Sequence, residues 1–88
     1  MKPDATKWVL VRANNEDANM AESVMNAADR YLDGFGVTVL SFSYYRNRKG
    51  CTQFADQAFK PSRVVTVRWN TCCEQHPIVV ESVEFATC

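Results

Sequence analysis

The sequence is poor in the residues on which most enzyme and ligand chemistry depends. It has one histidine, His76, and three glycines, of which Gly34 and Gly36 are the nearest approach to a glycine-rich loop. That pair stands where a helix should close, not where one opens, so a phosphate cradle at a helix N-terminus is excluded. No stretch reaches the roughly 18 apolar residues that could span a bilayer, and Met1 to Lys7 has no apolar core of a secretion signal. The expectation is therefore a cytoplasmic protein with no membrane partner. Net charge is also missing, with 10 Lys plus Arg against 10 Asp plus Glu. No global field draws the chain towards nucleic acid or an anionic membrane, and any electrostatic partner must be read by a local patch.

What is present is enough for one core. Hydrophobic residues make up 47% and charged residues 23% of 88 residues, which suits a single packed domain over residues 1–88 and is far from the composition of disorder. Thr6 to Arg12 is an apolar run of β-formers with charged ends and reads as a first strand. Asn14-Asn15 supplies an N-cap, with Glu16 and Asp17 in the first turn where the helix dipole favours negative charge. Ala18, Ala21, Val24, Met25, Ala28, Tyr31 and Leu32 then recur at spacings of three and four, and Gly34 can close the turn, which predicts a helix from Glu16 to Asp33.

Phe35 to Tyr45 alternates as a long strand, with Thr38, Leu40, Phe42 and Tyr44 on one face. Arg46 to Gly50 reads as a turn. Cys51, Phe54, Ala55, Ala58 and Phe59 fall at helical spacing before Pro61, which predicts a short helix or helical loop over Thr52 to Lys60. Arg63 to Trp69 and Ile78 to Phe85 are two further strands that should pair as an antiparallel hairpin. The inward side of the last one changes parity across Glu81-Ser82, pointing to a β-bulge there or to a strand start covered on both faces. The predicted fold is α+β: a single-layer, mostly antiparallel four-stranded sheet with one long helix on one face, in the order β-α-β-(short α)-β-β.

The four cysteines, Cys51, Cys72, Cys73 and Cys88, read as thiols in a reducing compartment. Cys72, Cys73 and His76 come nearest to a metal set, but structural zinc needs four ligands, and neighbours on an extended chain point to opposite faces. No metal and no cofactor is expected. Cysteine catalysis would require His76 as its base with an orienting carboxylate, and Glu74 is merely close in sequence. Glu81 and Glu84 fall on opposite faces of a regular strand, and Asp29 and Asp33 on the solvated side of the helix, so no paired-carboxylate site forms. The chain reads as non-enzymatic.

Charge is distributed unevenly along it. Between Arg46 and Arg68 stand six cations (Arg46, Arg48, Lys49, Lys60, Arg63, Arg68) and one anion, Asp56. Between Asn15 and Asp33 stand five anions, including Glu22, Asp29 and Asp33, against Arg30 alone. Neutrality by cancellation implies two unlike faces. Tyr44, Tyr45 and Trp69 accompany the basic group, and arginine with aromatics serves both protein interfaces and single-stranded nucleic-acid platforms. The leading expectation is a small binding protein that docks on a protein or ribonucleoprotein complex and blocks or modulates it. Its binding residues would come from Tyr44, Tyr45, Arg46, Arg48, Lys49 and Arg68, or from the acidic Glu22, Asp29 and Asp33. In size and style, though in no motif, such a protein is similar to phage or mobile-element inhibitors of bacterial defence complexes, anti-CRISPR proteins among them. The alternatives are a nucleic-acid-binding module using segment 44–69, and a structural or assembly protein, for instance a homodimer paired through strand edges.

Overall fold

A computed structural model describes residues 5–10, 18–32, 38–48, 50–60, 63–72 and 78–85. The elements are β1 (Ala5–Leu10), α1 (Ala18–Leu32), β2 (Thr38–Phe42), β3 (Tyr44–Arg48), β4 (Cys51–Ala55), β5 (Val64–Thr71) and β6 (Ile78–Glu84). β1 and β2 form a parallel pair joined through α1, as a parallel pair requires a long crossover. The remaining four strands form an antiparallel meander in the order β3-β4-β5-β6. The fold is thus α+β, with one helix against a four-stranded antiparallel sheet, as the sequence predicts. The proposed N-cap at Asn14-Asn15 and the closing Gly34 lie outside the described residues.

The apolar stripe of α1 faces the sheets: Ala21, Val24, Met25, Ala28 and Leu32 are buried, joined by Ala27. Tyr31, expected in that stripe, is 52% exposed and lies at its margin. The helix packs against β1 as well as β6, β3 and β5, so it seals both sheets over one core. At the centre of that core Trp8, Phe42 and Phe54 meet in tilted and edge-on contacts, with ring centroids 5.4 to 6.1 Å apart. Val65, Val67 and Trp69 of β5 complete it. Among the described residues no helix is long and apolar enough to cross a membrane.

Two local expectations are corrected. The long strand over Phe35 to Tyr45 is broken at Ser43, whose N–H donates to the Ala55 carbonyl at 3.0 Å. Before the break Phe42 pairs with Leu10 of β1, and after it Tyr44 pairs with Ala55 of β4. The bend takes up one residue, so the inward phase passes from Phe42 to Tyr45, and Tyr44 turns outward. The second correction concerns the short helix over Thr52 to Lys60, whose first part is strand β4. Thr52 and Phe54 are fully buried while Cys51 and Gln53 are half-buried, an alternation of two that the helical spacing of the apolar residues concealed. Pairing with strands on both sides decides the conformation over local spacing.

Gly50 makes the β3-β4 turn workable. Its φ is +82°, a left-handed value that a side chain resists, and a Cβ there would stand 3.3 Å from the Trp69 carbonyl. Its own carbonyl accepts the Trp69 N–H at 3.0 Å, so the turn is fastened to β5. In β6 the register steps from Arg68 opposite Ser82 to Trp69 opposite Val80. Glu81 is the extra residue, which places the bulge where the change of parity predicts it.

Candidate docking face

The pairing register sorts the side chains of the meander onto two faces. On the helix side lie Tyr45 and Asn47 of β3, Thr52 and Phe54 of β4, Val65, Val67 and Trp69 of β5, and Val80 and Val83 of β6. This face also holds a buried polar chain across three strands. The Trp69 Nε1–H donates to Thr52 Oγ1 at 2.9 Å, and the Thr52 hydroxyl donates to Asn47 Oδ1 at 2.8 Å. Each buried group thereby has its partner, which spares the sheet the cost of desolvating an orphan.

The opposite face carries the cations. Tyr44, Arg46 and Arg48 alternate outward along β3, and Arg68 projects from β5. Arg48, Cys51, Arg68 and Ser82 stand opposite one another as a row across four strands, and Arg46, Gln53, Thr66 and Glu84 form the next. Two residues along a strand separate the Arg46 and Arg48 backbones by about 7 Å, and two strand spacings separate Arg48 from Arg68 by about 10 Å. All three arginines are exposed. Neither Arg48 nor Arg68 forms an ion pair with another described residue.

Arg46 is oriented by an aromatic ring, its guanidinium carbon lying 4.0 Å from the centroid of Phe59. Phe59 belongs to the loop between β4 and β5 and holds φ at 45°, a left-handed value costing a bulky residue about 1–3 kcal/mol. The loop is tied across its mouth by the Arg63 guanidinium donating to the Asp56 carboxylate at 2.9 Å and by the Arg63 N–H donating to the Lys60 carbonyl at 2.8 Å. Beneath the long side chains Ala55, Val64 and Thr66 are buried, and the Gln53 Nε2–H donates to Thr66 Oγ1 at 3.4 Å.

The residues proposed from sequence are therefore divided. Tyr44, Arg46, Arg48 and Arg68 come together on one face. Tyr45 is half-buried against the core on the other, and Trp69 is buried there with its indole nitrogen engaged, so neither ring is presented with the arginines. Glu22 is exposed and Asp29 partly exposed on α1, which stands on the far side of the sheet. Lys49 and Asp33 lie outside the described residues. Cys51 sits half-buried between Arg48 and Arg68, and Cys72 is exposed just past β5, while Cys73, His76 and Cys88 lie outside the described residues. Among the described residues no three His, Cys, Asp or Glu side chains gather as a metal site.

Phe59 is the residue that reading the sequence missed. Its part depends on a loop conformation and on an arginine thirteen positions away, and the helical spacing of its neighbours concealed both. No family model matches the chain, and neither the curated proteins nor the solved structures contain a significant match.

Proposed function

We propose that the protein is a non-enzymatic binding protein that docks, by the face of the meander turned away from α1, on a negatively charged surface of a macromolecular partner and so blocks or redirects it. The observation that carries this reading is the set of three exposed arginines in two adjacent rows, none of them with an ion-pair partner among the described residues. Guanidinium groups held on paired strands lose less freedom on binding than cations on a loop, and they engage carboxylate or phosphate in a bidentate manner. The carboxylates Glu22 and Asp29 are screened from this face by the sheet and its core, so they do not oppose an acidic partner. Inhibition of a defence complex, as by proteins of phages and mobile elements, is one form such docking takes.

Co-purification from the native cell tests the reading. The wild-type protein should retain a stoichiometric partner, and Arg48→Glu with Arg68→Glu should lose it. Glu22→Lys with Asp29→Lys should retain it. A partner kept by the arginine variant and lost by the helix variant would transfer the binding face to α1.

A further inference from the structure

We infer that the partner surface recognised by this face is single-stranded nucleic acid, an inference that rests on the docking reading above and names its ligand. Three features of the face point to that ligand over an acidic protein segment. Tyr44 is 47% exposed and alternates along β3 with Arg46 and Arg48, so an aromatic ring and two cations share one edge of the platform. Proteins that hold single strands combine a basic track for phosphates with rings for base stacking. Second, Arg46 is exposed while its guanidinium carbon lies 4.0 Å from the Phe59 ring centroid, and unstacked bases pack on arginine planes as well as on rings. A carboxylate peptide makes no use of either surface.

The third feature is the placement of the opposing charge. Glu22 and Asp29 lie beyond the sheet, and Asp56 is engaged by Arg63. Glu84, opposite Thr66, and Glu81 in the bulge are the exposed carboxylates of β6, the strand at the far margin, three strands from Arg46 and Arg48. A strand running along Tyr44, Arg46 and Arg48 would keep its phosphates on the edge away from β6, and of the three arginines only Arg68, on the strand next to β6, stands near these carboxylates. The bases of a duplex are stacked inside and unavailable to Tyr44, so duplex of the same sequence should bind more weakly.

The test is fluorescence anisotropy with a mixed-sequence oligonucleotide of about ten nucleotides, a size suited to one small platform, in RNA and DNA forms. Three arginine–phosphate contacts should give a slope of log affinity against log salt of about −2, and Arg68→Ala should make it shallower by about 0.7. Tyr44→Ala should weaken binding about tenfold with the slope unchanged, because stacking releases no counterions. Arg48→Lys, which keeps the charge and the strand, should retain the salt slope and so separates a binding loss from a folding loss. No binding of either oligonucleotide at about 50 mM salt would overturn the inference. So would polyglutamate binding as tightly with Tyr44→Ala neutral, an outcome that leaves the docking reading standing with a protein as its partner. Failure of both probes, together with a captured partner indifferent to Arg48 and Arg68, would remove the docking reading itself.

Discussion

Thr52 shows how one buried hydroxyl can organise a sheet. It accepts from Trp69 and donates to Asn47, so its removal takes a partner from two polar groups at once and leaves the buried Trp69 Nε1 without the acceptor it has here. Thr52→Val keeps the shape and should cost about 1–3 kcal/mol in urea unfolding, while Thr52→Ser should recover most of it. Equal stability of the valine variant would mean that the chain of hydrogen bonds contributes nothing net. Trp8 is the counter-example, for its buried Nε1 has no hydrogen-bond partner among the described residues, and its ring is held by packing in the core, edge-on to Phe42 and Phe54. Gly50 answers to backbone geometry. Gly50→Ala should lower stability by about 1 kcal/mol or more, measured in the same way, since the methyl meets both a left-handed φ and the Trp69 carbonyl. An unchanged midpoint would show that the turn relaxes freely.

At the scale of elements, the sequence was most legible where apolar spacing and packing agree. The stripe from Ala21 to Leu32 reports a helix because burial on one side imposes that spacing. Glu81 reports a bulge because a strand keeping one face inward cannot otherwise change parity. The strand Cys51–Ala55 was not legible, since five residues with apolar side chains on both faces satisfy either period, and pairing with β3 and β5 is a long-range fact. The bend at Ser43 was hidden for a related reason. Nothing in Phe42-Ser43-Tyr44-Tyr45 says that one chain segment serves two sheets, and the choice of which tyrosine faces outward depends on it. The sequence therefore groups Tyr44, Arg46, Arg48 and Arg68, which do share a face, but nothing in it separates them from Tyr45 and Trp69, which lie on the other. The sheet edges also carry a prediction. β3 presents Arg46 and Arg48, and β6 carries a bulge with Glu81 and Glu84, features that discourage strand addition. Light scattering should give the mass of a monomer at micromolar concentration, and a dimer that dissociates when β6 is altered would refute this.

Seen as a whole, the molecule separates its charges by means of its layers. One helix closes a shared core, and the carboxylates on its outer side are separated from the arginines by that core and by the meander. Neutral composition therefore coexists with a polar molecule whose two faces should meet different partners. The central claim is that partners approach the arginine face. Amide chemical shifts of labelled protein, followed while the captured partner or an oligonucleotide is added, test it most directly. The account predicts perturbations gathered at Tyr44, Arg46, Arg48, Gln53, Phe59 and Arg68, with Glu22, Asn26 and Asp29 unmoved. Perturbations gathered on α1 with β3 and β5 silent would contradict it.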